Sequence, residues 1–370
     1  MLLTIVVFLL ILSVLVLIHE AGHYFVAKKL GVKVEEFGFG FPPRVWGKKV
    51  GETVYSVNLL PIGGFVKLYG EDEAGAGKLQ IPNNKSQITK NMDRAFFSRP
   101  VWQRASIIFA GVFMNFVLAT AIISYLFAFH GVPSAGDKVE IVALVKHAPA
   151  QQAGLQVGET ILSVDGKRVT DPNEVISYVK AHLGKKIAIQ VQNKTGVQDI
   201  HVTPRVHYPE TEGAMGIEIS QNIITKTYPW YQAPWVGLKE SIQESWMIVQ
   251  GLWQAVTTVA VQHQVPQGLA GPVGIAELTG QFIKIGPFAV LSLVSLLSLN
   301  LAILNILPIP ALDGGRLFFI LLEGVTRRKV NQQFEAYAHA VGMILLLALI
   351  AFITFHDLYM VFTHQPLLPK

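Results

Sequence analysis

The chain opens Met1-Leu-Leu-Thr-Ile-Val-Val-Phe-Leu-Leu-Ile-Leu-Ser-Val-Leu-Val-Leu-Ile-His-Glu-Ala-Gly-His-Tyr-Phe-Val-Ala27. No Asp, Glu, Lys or Arg occurs before Glu20, and Ala21 to Ala27 carries the apolar run on to bilayer length. About 20 apolar residues cross the hydrocarbon core as a helix, so the stretch predicts a transmembrane helix over residues 1–27. No Lys or Arg precedes it, and no small-residue cleavage pattern precedes His19. That favours a retained helix over a cleaved signal peptide.

Three further charge-free runs follow. They are Ala105–Gly136, with Ile107–Phe129 at its centre, then Gly286–Leu312 and Ala336–Phe355. The 370 residues are 51% hydrophobic and 15% charged, against about 25% charged in an average soluble domain. Mean hydropathy is +0.43. Membrane segments alternating with soluble parts explain both figures. There is no cysteine, which excludes disulfide scaffolds, thiolate zinc sites, iron–sulfur clusters and cysteine nucleophiles. Any metal chemistry must use His, Asp or Glu.

Charge between the runs sets the orientation. Residues 28–104 hold 13 Lys and Arg against 7 Asp and Glu, whereas residues 131–285 hold 12 against 13. Arg327, Arg328 and Lys329 precede the last run. The positive-inside rule therefore puts 28–104 and the link 326–335 in the cytoplasm, with 131–285 and both termini outside. The formal net charge of +5 is a topology signal, and no nucleic-acid partner is expected. The expected fold is a polytopic α-helical membrane protein with four transmembrane helices, at 1–27, 105–130, 286–325 and 336–363.

From about Val132 to Gln221 short β-rich runs alternate with turns. Glu140–Val145 reads as a strand, Ala148–Leu155 as a short helix ending at Gly154, and Val157–Gly166 as a strand closed by an Asp-Gly turn. Asn173–His182 has helical spacing, and Ile187–Gln192 and Ile200–Pro204 are further strands. The run Pro149-Ala-Gln-Gln-Ala-Gly-Leu-Gln-Val-Gly-Glu-Thr-Ile-Leu-Ser-Val-Asp-Gly166 resembles a bacterial PDZ domain, an α/β unit covering 131–221. In that family's permuted form the peptide groove lies near Gly213, Met215, Gly216 and Ile217. PDZ domains bind an extended peptide on a sheet edge, so a peptide or protein ligand is implied; the alternative is a groove that is idle or only steric.

Beyond it, residues 222–285 carry Trp230, Trp235, Trp246 and Trp253. Tryptophan favours the membrane–water interface. A helix lying on the outer leaflet fits, as does an ordinary amphipathic helix packed on protein.

The chemistry centres on His19-Glu20-Ala21-Gly22-His23. Residues four apart share a helix face, so both imidazoles can reach one metal ion. Glu20 is rotated next to that face, where it can take a proton from an activated water. A random sequence of this composition would hold about 0.015 such motifs. Ionisable residues within an apolar helix are expensive and default to function; the alternative is a satisfied polar cluster between helices. A catalytic zinc needs a third protein ligand. Asp313 is the leading candidate, in Asn305-Ile-Leu-Pro-Ile-Pro-Ala-Leu-Asp-Gly-Gly315, where two prolines break the helix. Broken backbone at membrane depth belongs where it is buried or lines a cavity. Asp313 could instead cap a helix begun by Asp-Gly-Gly-Arg. Glu323 and His339 are weaker ligand candidates. His130, His147, His201, His207, His263 and His356 lack ligand spacing and read as surface residues.

A membrane-embedded His-Glu-x-x-His, a PDZ after the second helix and a late Asn-x-x-Pro-x-Pro-x-Leu-Asp-Gly together resemble the site-2 protease family. Within it the chain is most similar to the regulator of sigma-E proteases, bacterial RIP zinc metalloproteases. The likeness includes Pro61-Ile-Gly-Gly-Phe-Val-Lys-Leu-Tyr-Gly-Glu71 and Ser98-Arg-Pro-Val-Trp-Gln-Arg104. It implies Zn2+ held by His19, His23 and Asp313, with Glu20 as base. It implies that Asn300 and Asn305 hold the substrate backbone. It also implies that Gly63, Gly64, Phe65 and Val66 belong to a membrane-associated β-hairpin, within 28–104, whose edge pairs with an unwound substrate.

The expected activity is intramembrane cleavage of single-span membrane proteins, of anti-sigma-factor or remnant-signal-peptide type, in a bacterial inner membrane. The active site would lie toward the cytoplasm and the PDZ outside. Two differences stand out: residues 131–285 have room for one PDZ where the best-known members carry two, and the family's Gly-Pro-x-x-Asn reads Gly111-Val-Phe-Met-Asn115. Two other classes compete, a non-catalytic PDZ-bearing membrane adaptor and a metal-ion transporter. An intact Glu20 argues against the first, and the lack of an inverted repeat against the second.

Overall fold

The computed structural model describes residues 2–71, 92–193, 196–209, 212–258, 261, 271–328 and 330–363. The chain divides into two compact units: residues 1–129 with 229–370, and residues 130–228.

In the first unit, α1 (Leu2–Lys29) is one uninterrupted helix. Two long strands, β1 (Val34–Val50) and β2 (Thr53–Leu68), follow as an antiparallel hairpin turned at Gly51-Glu52. Gly51 adopts φ +64, a conformation that glycine enters without steric cost. A 3-10 turn (Phe96–Ser98) leads into α2 (Val101–Phe129). Tyr24, Ala27, Val32, Val34, Leu68 and Ile107 form a buried cluster where α1, the hairpin and α2 meet.

Polar ties reinforce this junction. The Ser13 hydroxyl donates to the Pro61 carbonyl (2.8 Å), and the Tyr24 and Tyr55 hydroxyls are hydrogen-bonded. Arg99 Nη2 donates to Gly31 O (2.7 Å), satisfying a carbonyl just past the end of α1. Arg94 grips Glu52 through two hydrogen bonds of 2.7 Å each. Arg94 is the main reason that the Glu52 carboxyl lies below its ordinary range. Arg94 and Arg99 thus clasp the junction of α1 and the hairpin.

The second unit begins with β3 (Val132–Leu144), followed by a one-turn α3 (Pro149–Gln152), β4 (Thr160–Val164) and β5 (Lys167–Arg168). Then come α4 (Pro172–Ala181), β6 (Ile187–Asn193), β7 (Gly196–Val202) and β8 (Ile217–Lys226). The sheet order is β7-β6-β4-β3-β8, with β5 paired to β4, so β8 is an edge strand. Its core is its own: Ile141, Ile161, Val164, Val175, Ile189 and Val191 are among the buried residues. Asp171 caps α4 by accepting from the Asn173 amide (2.7 Å), the reason the helix starts there.

The chain then returns to the first unit with α5 (Ala233–Thr257), α6 (Pro272–Ile285) and α7 (Pro287–Ile306). The run read as one segment over 286–325 is two helices. α7 ends at Ile306, and α8 (Asp313–Thr326) starts after the Pro308–Pro310 break. Neither proline can donate to a helical ladder, which accounts for the interruption. The last helix is α9 (Gln332–Phe362). By length and composition α1, α2, α7 and α9 can each cross a membrane. The four tryptophans at 230, 235, 246 and 253 are all largely exposed, and residues 262–270, with His263, lie outside the described residues.

Candidate metal centre and active site

His19 and His23 lie one turn apart on α1 and are both buried. Their Nε2 atoms stand 3.2 Å apart. Asp313, the first residue of α8, brings Oδ2 to 2.7 Å from His19 Nε2 and 3.2 Å from His23 Nε2. The carboxylate therefore faces the histidines and does not cap α8, whose N-cap position, Leu312, makes no side-chain cap. Glu323 and His339 lie outside the cluster. Glu323 pairs with Arg104 (2.8 Å), and His339 Nδ1 accepts from the Ala311 amide (2.9 Å).

Small residues make the cluster possible. A Cβ on Gly22 would collide with the Ala110 carbonyl, and one on Gly111 would collide with His23 Nε2. Only glycine at both positions lets α1 and α2 approach closely enough to seat the imidazoles. Gly314 and Gly315 do the same for α8, where a Cβ would meet the carbonyls of Leu307 and Ile309.

The other ring nitrogens decide what the cluster can bind. His23 Nδ1 lies 2.8 Å from the Ile107 carbonyl, an acceptor only, so Nδ1 carries a proton and a neutral ring leaves the Nε2 lone pair free. His19 Nδ1 faces the Asn115 side chain at 3.4 Å, through Nδ2. Asn115 is fully buried and its Oδ1 has no partner among the described residues. With the amide reversed from this orientation, Oδ1 would accept from Nδ1–H, and Nδ2 would take the unpartnered position instead. Both Nε2 lone pairs then converge with a carboxylate oxygen on one point. Such an arrangement is repulsive without a cation or proton between the atoms. Tetrahedral ligands about 2.0–2.1 Å from zinc stand roughly 3.3 Å apart, close to the two separations of 3.2 Å, whereas the 2.7 Å between His19 and Asp313 is a hydrogen-bond distance. His19, His23 and Asp313 fit a divalent metal with two nitrogen donors and one oxygen.

Glu20 Oε2 accepts from the Val66 amide of β2 (3.0 Å). Glu20, His23 and Asp313 line a cavity of 410 Å³, together with Phe41, Phe65, Val66, Glu71 and Arg316. Arg316 Nη1 donates to Glu71 Oε1 (2.6 Å), joining α8 to the end of the hairpin. Phe65 and Val66 line the cavity, and Gly64 packs beside Leu17 and Glu20. Asn300 Nδ2 donates to Leu296 O (2.9 Å), and neither Asn300 nor Asn305 is among the cavity-lining residues. In the second unit Met215 is buried in the core, and the Met215 and Gly216 carbonyls already accept from Ala150 and Val145.

Sequence reasoning missed the Ile107 carbonyl, the Val66–Glu20 hydrogen bond and the Glu71–Arg316 pair, since spacing carries no signal for contacts between distant segments. Asn115 had a signal, being the last residue of Gly111-Val-Phe-Met-Asn115.

Comparison with known proteins bears on the assignment. Residues 7–349 match peptidase family M50. The chain belongs to that family, the site-2 proteases. It is a zinc metalloprotease of a bacterial membrane. Among its relatives, zinc metalloprotease RasP of Bacillus licheniformis is 30% identical over 97% of this chain and 99% of its own. The regulator of sigma-W protease RasP of Bacillus subtilis is 29% identical over the same shares. Among solved structures, the PDZ domain of an SdrC-like protein from Listeria monocytogenes aligns with 24% of this chain and 93% of its own, at 20% identity and a TM-score of 0.21.

Proposed function

We propose that this chain cleaves the transmembrane segments of single-span membrane proteins, with His19, His23 and Asp313 holding zinc and Glu20 acting as base. The observation that carries the reading is the convergence of Asp313 on His19 and His23, which with Glu20 sit on a helix otherwise apolar enough to lie in a bilayer.

When bound, zinc supplies Lewis acidity, which makes water acidic enough to lose a proton near neutral pH and polarises a carbonyl. The chain's own residues do the rest. The Val66 amide holds Glu20 Oε2, which leaves Oε1 to take the proton from the attacking water and pass it to the leaving amine. The buried histidines and Asp313 are held in place by Ile107, Asn115 and the α8 turn, so little reorganisation is needed as charge develops. A substrate helix hides its carbonyls in internal hydrogen bonds and must unwind. Pairing along Gly63–Val66 would satisfy the unwound backbone. Because Val66 also holds Glu20, strand addition there and orientation of the base are linked. Asn300 and Asn305, on α7, are assigned to holding the substrate backbone.

Positive-inside reasoning supports an active site toward the cytoplasm, in a bacterial inner membrane, with residues 131–221 as an extracytoplasmic PDZ domain. The free edge of β8 is the feature that supports peptide capture there. The substrates that fit are single-span proteins such as anti-sigma factors or remnant signal peptides.

The test is incubation of the purified chain with tagged single-span substrates, with and without a chelator. Cleavage should disappear with chelator and return with zinc. Glu20→Gln should lower the rate by about 10²–10⁴-fold while zinc content stays at one per chain. Cleavage indifferent to both treatments would overturn the reading.

A further inference from the structure

His339 is a polar residue on a helix that has little reason to hold one. The apolar window of α9 is only 11% buried within the protein, yet His339 is among its buried positions. Its ring packs edge-on against Phe319 of α8, with centroids 5.8 Å apart. Its Nδ1 accepts the Ala311 amide at 2.9 Å. One turn further along α9, Gly342 lies against Pro310 so closely that a Cβ would meet its carbonyl at 2.6 Å. Both contacts fall on the short link between α7 and α8.

That link is strained at one residue. Ala311 has φ +82, a left-handed conformation disfavoured for any residue with a Cβ. Two residues later comes Asp313. An extended Ala311 would send the following backbone in another direction and withdraw the carboxylate from His19 and His23. The surroundings must hold the conformation. The link has few means of doing so internally, because Pro308 and Pro310 have no N–H. Ile309 N–H donates to Leu307 O and Leu312 N–H to Ile309 O. The Ala311 N–H is the donor left for a partner outside the turn, and His339 takes it. An unsatisfied backbone amide at membrane depth would be costly; the histidine satisfies it, while its own Nε2–H is left buried without a partner among the described residues.

We propose that His339 is a positioning residue for the metal centre: its Nδ1 locks Ala311 in the left-handed turn from which Asp313 reaches His19 and His23. This rests on the reading of Asp313 as a metal ligand. It assigns to α9, which supplies no ligand, control over how well the third ligand is presented.

The test uses the full chain in detergent or nanodiscs, with zinc affinity measured by chelator competition and kcat and KM measured separately. Asp313→Asn calibrates the assay: if it leaves zinc affinity unchanged, the ligand reading itself fails, whatever His339 does. If Asp313→Asn loses zinc, His339→Leu is expected to weaken zinc binding by about 10–100-fold, with kcat falling and KM little changed. His339→Asn, whose Oδ1 can take the place of Nδ1, should retain most of the affinity. Ala311→Gly on the His339→Leu background should recover part of the loss, because glycine enters the left-handed region freely. Ala311→Val raises the strain without touching α9, and should weaken zinc binding as His339→Leu does. Wild-type affinity in folded His339→Leu or in Ala311→Val overturns the proposal. So does a double variant that recovers nothing.

Discussion

At the scale of the residue, the site depends on which nitrogen of each histidine is free. His23 is settled by a main-chain carbonyl, that of Ile107 at 2.8 Å, which no side-chain substitution removes. His19 depends on Asn115, a side chain, and is the more vulnerable of the two. Alanine is smaller than asparagine and has no acceptor. Asn115→Ala should therefore fit between α1 and α2 without overpacking, while freeing the His19 ring to rotate or change tautomer. Zinc affinity is expected to fall about 10–100-fold, as for other groups that orient a ligand from behind. Competition with a chelator of known affinity measures it, and a folded variant with wild-type affinity would show that His19 is oriented by packing alone.

At the scale of the element, α1 and α2 meet through Gly22 and Gly111, α8 folds back on its own link through Gly314 and Gly315, and the hairpin meets α1 through hydrogen bonds and a small apolar cluster. Not every element is so well matched. On α5, Glu244 is half-buried one turn after Glu240. Burial chiefly, and then the neighbouring carboxylate, hold Glu244 above its ordinary value of 4.5. The folded chain keeps this proton to higher pH than the unfolded one does. Stability therefore falls as pH rises from about that ordinary value through the raised one, and the loss is complete above it. Glu244→Gln removes the penalty. It should raise stability at pH 7 by at least ~0.2–0.5 kcal/mol, the usual size of a like-charge pair one turn apart, with relief of the burial cost in addition. The gain should vanish below about pH 4, where both chains carry a neutral group at this position. Melting the two proteins at both pH values checks the sign, and an equal difference at both would exclude the electrostatic explanation.

At the scale of the whole molecule, two units have separate cores. Residues 130–228 bury Ile161, Ile189, Val191 and their neighbours without help from the rest of the chain. Expressed alone, this segment should fold and melt cooperatively. Ile189→Ala within it should cost ~2–5 kcal/mol, as for other fully buried aliphatic side chains cut back to a methyl group. Circular dichroism on the isolated segment measures both, and a gradual, non-cooperative melt would show that the unit borrows stability from its attachment to the helices.

Much of this organisation was legible in the sequence because the physics behind it is local or periodic. Bilayer thickness sets the length of an apolar run, so the positions of α1, α2, α7 and α9 follow from counting. Helical periodicity places His19 and His23 on one face whatever surrounds them. Proline chemistry announces the break before Asp313. The remainder depends on contacts across long sequence separations, 294 residues between His19 and Asp313 and 28 between Ala311 and His339, and no spacing rule reports those. Only the folded chain decided that Asp313 turns toward the histidines instead of capping α8, and that His339 holds a strained turn instead of a metal. In both cases the reason is the same: a carboxylate or an imidazole has several good uses, and which one it serves is set by the donors and acceptors that packing brings within about 3 Å.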